Sequence, residues 1–266
     1  MRIPLFHVDA FASEVFRGNP AGVCPLEAWL PDAVMQSIAM ENALPETAFL
    51  VGGGGRYDIR WFTPETEVEL CGHATLASAH VLFGGKERGA ETIAFASKGG
   101  PLRVDRRGDL LALDLPSRPP EALPSLEAIR TSLAAALGAA PRDVLAARDY
   151  LAVFDHEDEV RALAPDMARV AALDRFAVIV TAKGRDGGDV DFVSRFFAPA
   201  KGIPEDPVTG SAHCTLVPYW SSRLGKDELR ARQLSRRGGD LACELRGDRV
   251  SLAGRAVLYL EGTITL

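Results

Sequence analysis

Arg60-Trp61-Phe62-Thr63-Pro64, followed by Cys71-Gly72-His73-Ala74-Thr75-Leu76, is written a second time in this sequence. The second copy reads Arg195-Phe196-Phe197-Ala198-Pro199, followed by Thr209-Gly210-Ser211-Ala212-His213-Cys214-Thr215-Leu216. Each copy is an alternating strand, a short loop and a small-residue helix start. Downstream, Ser97-Lys98-Gly99-Gly100 answers Ser235-Arg236-Arg237-Gly238-Gly239, and Gly100 to Gly108 keeps the spacing of Gly239 to Gly247. Upstream, Leu44 to Val51 lies over Leu173 to Val180. The period is about half the chain, which marks a two-fold duplication and not a solenoid.

Strands are expected at Arg56 to Phe62, Asp189 to Phe197, Leu110 to Leu115 and Arg249 to Ala253. The helix opening at Gly72 is apolar nearly all round and therefore has to be buried. A left-handed stop at Gly84-Gly85 is expected to end it. The copy opening at Gly210 is expected to kink at Pro218 and to end at Gly225. These features predict an α+β fold of two pseudo-symmetric lobes, each a curved, mostly antiparallel sheet wrapped around a central helix. Four prolines between Pro116 and Pro124 read as the linker. The lobes are then residues 1–116 and 117–266, with a last strand at about 256–266 that can return to the first lobe. The Gly52 to Gly55 run has no helix after it and reads as a hairpin loop, not a nucleotide site.

Composition sets the outer limits. Hydrophobic residues make up 47% and charged residues 25% of the 266-residue chain, as in soluble globular proteins. A net charge of −6 argues against nucleic-acid partners. No apolar run approaches the ~18 residues of a membrane span, and no membrane partner is expected. Cys24, Cys71, Cys214 and Cys243 show no paired spacing, which suggests reduced thiols and a cytoplasmic setting.

The helix starts carry the expected chemistry. Unpaired N–H groups and the positive dipole end, with Gly72 and Gly210 allowing close approach, suit a substrate carboxylate. The active site is expected between the two lobes. A racemase could use one thiol at each helix start, but Thr209 stands opposite Cys71 in the repeat, so that device is broken. Glu46 lies over Arg175 and was not inherited from the duplication. A lone carboxylate could serve as general base and then general acid.

Gly18-Asn19-Pro20-Ala21-Gly22-Val23, Pro45-Glu46-Thr47-Ala48-Phe49, Phe62-Thr63-Pro64, Cys71-Gly72-His73-Ala74-Thr75 and Glu205-Asp206-Pro207-Val208-Thr209-Gly210-Ser211-Ala212 together resemble the PhzF-like isomerase family of phenazine biosynthesis. The family shares its fold with diaminopimelate epimerase and proline racemase. The resemblance implies that Glu46 is the catalytic acid/base, returning a ring proton elsewhere on the same face. His73 and Asp206 would hold the substrate and tune the transfer. Asn19, Gly72, Gly210 and Ser211 would bind a small cyclic carboxylate akin to a dihydro-hydroxyanthranilate. No metal and no organic cofactor are implied, and a homodimer is. At the start of its helix, His73 is expected to be neutral. His73, His80 and Cys71 lack a fourth ligand for a metal site. Two other readings stay open: Cys71 as the base of an amino-acid epimerase or hydroxyproline-type dehydratase, and a non-catalytic module binding a small carboxylate or a protein.

Overall fold

The computed structural model describes residues 1–124 and 126–266. In chain order the first half contains β1 (Arg2–Ala10), β2 (Asn19–Leu26), α1 (Asp32–Asn42), β3 (Glu46–Gly53), β4 (Arg56–Phe62), β5 (Glu67–Val68), α2 (Gly72–Gly84), β6 (Thr92–Ser97), β7 (Gly100–Arg107) and β8 (Leu110–Pro116). The second half contains β9 (Glu121–Ala122), α3 (Leu126–Leu137), β10 (Asp143–Ala146), β11 (Tyr150–Val153), α4 (Glu157–Ala162), α5 (Met167–Ala171), β12 (Val178–Lys183), β13 (Phe192–Phe197), α6 (Gly210–Leu224), β14 (Glu228–Gln233), β15 (Gly239–Arg246), β16 (Arg249–Gly254) and β17 (Ala256–Thr265). The chain divides into two compact units. Unit 1 is Met1–Leu115 with Ser251–Leu266, and unit 2 is Pro116–Val250. The return to unit 1 thus begins at Ser251, inside β16, and not at the expected 256.

In unit 1, β2 and β3 pair in parallel, β3 and β4 antiparallel, β4 and β6 in parallel, and β6 and β7 antiparallel. In unit 2 the same alternation runs through β11 and β12, β12 and β13, β13 and β14, and β14 and β15. β17 adds antiparallel to β1, as β9 does to β10. The repeat read from residues is therefore a repeat of topology. Burial repeats with it: β7 and β15 share one pattern residue for residue.

Each unit packs strands against one apolar helix. α2 packs against β1, β2, β3, β7 and β17, and every residue from His73 to Ala79 is buried. Its hydroxyls are satisfied locally, Thr75 Oγ1 donating to Cys71 O at 2.6 Å and Ser78 Oγ to Ala74 O at 2.7 Å, so burying them leaves no unpaired polar group. α6 packs against β14 and β15 and runs on through Pro218 as one helix, ending at left-handed Gly225. Gly85 has φ −117°, so the expected left-handed stop of α2 is not formed. Its N–H instead reaches back to the carbonyls of Val81 and Leu82. Among the described residues no helix is long and apolar enough to cross a membrane.

Candidate functional site

Glu46 is the first residue of β3 and His73 the second of α2. α1 ends on Ala43 in the left-handed region, turning the chain into β3. Pairing of Glu46 with Ala21 on β2 then fixes the strand over the start of α2. The carboxylate and the ring meet there: Nε2 of His73 lies 3.1 Å from Oε2 of Glu46, and both side chains are about nine-tenths buried. The contact is an ion pair and not an aligned hydrogen bond, and Oε2 has no hydrogen-bond partner among the described residues. A buried carboxylate oxygen so placed can accept a proton.

Cys71 is the N-cap of α2, its Sγ 3.6 Å from Nδ1 of His73. Burial, reinforced by the charge of Glu46, pushes the Cys71 thiol up, so it is protonated near neutral pH. For His73, burial opposes the charged ring. The Glu46 carboxylate, and the Cys71 sulfur where it is a thiolate, act against this and raise the imidazole above its ordinary value. The same negative charge acts against the neutral form expected for His73. At 3.1 Å a carboxylate contributes about 5 kcal/mol at an effective dielectric of 20, against about 2 kcal/mol at most for a helix end. The donor atoms of Glu46, Cys71 and His73 lie within 4.8 Å of one another. Their chemistry is that of a zinc ligand set with one position open, and His80 is not among them.

Asn19 opens β2 opposite Ala10 and is fully buried. Gly18 before it has φ +63°, and a Cβ there would stand 2.1 Å from Ala10 O, so only glycine admits this turn. Gly72 opens α2 and is half-buried.

The remaining expected residues belong to unit 2. Asp206, half-buried in the approach loop, accepts a hydrogen bond from Thr209 Oγ1. Thr209 caps α6, Gly210 is its first residue and Ser211 its second. His213, one turn in, donates from Nδ1 to Thr209 O at 2.8 Å, and burial lowers its pKa to about 4. Unit 1 thus gathers Glu46, Cys71, Gly72 and His73, and unit 2 gathers Asp206, Gly210 and Ser211.

Some residues went unnoticed in the sequence. Arg148 reaches Ser211 Oγ at 3.2 Å while its fork grips buried Asp149 at 3.0 Å through two nitrogens. Arg60 grips Glu67 the same way, at 2.7 and 2.8 Å, and Arg195 grips Glu205 at 2.7 and 3.1 Å. Both arginines were visible in the repeat, but their acidic partners sit at unequal distances along the chain. Strand register also corrects the match to Glu46. Phe49 pairs with Arg60, and Val180 with Arg195, so with the two arginines equivalent Glu46 falls on Ala177, two residues beyond Arg175. Its carboxylate still has no counterpart.

The model of the phenazine biosynthesis-like proteins, PhzC-PhzF, matches residues 8–262. An uncharacterized isomerase of Pseudomonas aeruginosa is 51% identical over the whole of both chains. A PhzF-family phenazine biosynthesis protein of Enterococcus faecalis, known by crystal structure, is 49% identical with a TM-score of 0.95 over the whole of both chains. A hydroxyproline epimerase of Agrobacterium vitis, at 11% identity and a TM-score of 0.60 over 99% of this chain and 92% of that one, shares the fold alone.

Proposed function

The chain belongs to the PhzC-PhzF family of phenazine biosynthesis-like proteins, and from that we propose a cofactor-free isomerase in which Glu46 is the acid/base. One observation carries the reading: a buried carboxylate lies 3.1 Å from the His73 ring, and one of its oxygens is free of aligned hydrogen bonds. Glu46 removes a proton from a substrate carbon and becomes a carboxylic acid. It then returns that proton to another carbon on the same face, and the double bond moves between them. His73, charged, stabilises the electron-rich intermediate and favours the carboxylate to which Glu46 returns when it gives its proton to the second carbon. Asp206 binds and orients the substrate, while Asn19, Gly72, Gly210 and Ser211 bind its polar groups, the helix starts suiting a carboxylate. The substrate is a small cyclic carboxylate of the dihydro-hydroxyanthranilate type, and no metal or organic cofactor takes part. The working form is a cytoplasmic homodimer. Its four cysteines are free and buried, which suits a reducing compartment.

The test is proton exchange with deuterated water on candidate cyclic acids. Glu46→Gln should reduce turnover by about 10²–10⁴, and full activity in that variant would remove Glu46 from the reaction. Prolonged dialysis against a strong chelator should leave turnover unchanged. Added zinc should inhibit by occupying Glu46, Cys71 and His73. Activity that a chelator abolishes and zinc restores would overturn the metal-free reading.

The contact of Cys71 Sγ with His73 at 3.6 Å favours a second reading. There the charged ring stabilises the thiolate form of Cys71, which acts as the base of an epimerase or dehydratase. Cys71→Ala separates the two: turnover near normal supports Glu46, and a loss as deep as that of Glu46→Gln supports the thiolate.

A further inference from the structure

Gln233 closes β14, 24 residues beyond Thr209 and fully buried. Its three hydrogen bonds leave no freedom in the orientation of the amide. Oε1 accepts the Thr209 N–H at 2.9 Å. A carbonyl oxygen only accepts, so this contact sets the flip. Nε2, which only donates, then faces two acceptors, Asp206 O at 2.8 Å and Thr209 Oγ1 at 3.1 Å.

The direction of the next bond follows. A threonine hydroxyl carries one proton. Oγ1 receives its hydrogen bond from Nε2 and gives its own proton to Oδ2 of Asp206, its other partner. An oxygen that receives an O–H carries no proton of its own, and a hydrogen bond donated to a carboxyl group favours its charged form. We propose that Gln233 is a positioning residue which, through Thr209, holds Asp206 ionised and fixed in direction at the approach to α6.

The relay is private to unit 2. Gln233 pairs with Gly239 across its hairpin, and Ser97 pairs with Gly100 across the equivalent one. By strand register Ser97 is therefore the counterpart of Gln233, and not of Ser235 as residue order suggested, and its hydroxyl is spent on Gly100 O at 2.7 Å within the hairpin. Cys71 stands where Thr209 does. One half of the duplication thus acquired an amide–hydroxyl–carboxylate chain, as the other acquired Glu46 beside His73. The importance of this chain for turnover rests on the role proposed above for Asp206. The proton direction does not.

The test needs no substrate. In protein labelled with ¹³C at aspartate carboxyl carbons, the Asp206 signal, identified by its loss in Asp206→Asn, is followed against pH. Its midpoint should rise by about one pH unit in Gln233→Met and in Thr209→Val, both of which remove a donor to the chain. Gln233→Glu keeps the shape but replaces the donor by an acceptor. It draws the Thr209 proton away from Asp206, so the rise should be at least as large. An unchanged midpoint in Thr209→Val, or in either Gln233 variant with native circular dichroism, overturns the proposal. So does an Asp206 that is protonated at neutral pH in the unaltered protein. Either result would leave the isomerase reading standing. An inactive protein with the expected midpoints would sink that reading and leave the relay intact.

Discussion

Glu46 and His73 form a pair whose protonation can be tested directly. The Cys71 sulfur and the Glu46 carboxylate, 3.1 Å from Nε2, both raise the ring's pKa, so Glu46→Gln should bring its titration down. Nitrogen NMR of His73 over the alkaline range measures this, and an unchanged midpoint would show that the carboxylate does not set the charge. The linkage sign follows. With a raised folded pKa, the pair adds its full stability below about pH 6.5. That contribution fades as pH rises through the higher folded value. Cys71, buried with a raised pKa, should alkylate with iodoacetamide far more slowly at pH 7 than a free thiol, a rate that mass spectrometry gives per residue. At this scale the sequence was partly legible. Glu46 and His73 stood out by their place before a strand and inside a helix start. The charge on His73 did not, because a dipole argument from position lacks the partner that outweighs it. The match of Glu46 to Arg175 slipped by two residues. Period-two alternation hides such a slip, since it leaves every side chain on its proper face.

Among the elements, the strand–loop–helix unit is held by an arginine fork in each half. Arg60 on β4 binds Glu67, and Arg195 on β13 binds Glu205, each before the helix that follows. Hydrogen bonds from Arg60 lower Glu67 to about 2. A carboxylate with a depressed folded pKa stabilises the fold above its unfolded value of 4.5 and loses that contribution as pH falls toward 2. Arg60→Met should therefore unfold at higher pH during acid titration, a shift that circular dichroism reports. Coincident acid transitions would mean that the fork contributes no net stability. The burial of α2 and the left-handed end of α6 were legible in apolar pattern and in Gly225. The forks were not, since seven residues separate one pair and ten the other, and only the folded turns equalise them. Nor was the passage of α6 through Pro218, which depends on packing around the helix that residue order does not record.

For the whole molecule the duplication was the most legible feature, because two copies in register specify one topology twice. What the copies share is frame: the order of parallel and antiparallel pairings, the burial rhythm of β7 and β15, the helix starts at Gly72 and Gly210. What they do not share is chemistry, with Glu46 and His73 in one half and Gln233, Thr209 and Asp206 in the other. The frame also has a seam. β17 closes unit 1 by pairing with β1, Arg2 opposite Thr265, whereas unit 2 is one unbroken stretch. During synthesis a ribosome delivers the last strand of the first unit only after the entire second unit has emerged. The half begun second is then free to fold first, and the half begun first waits with β1 exposed for its final partner. Nascent chains stalled after Val250, once clear of the exit tunnel, should resist protease across 116–250 while Met1–Leu115 is still cut. Release of the full chain should then protect both.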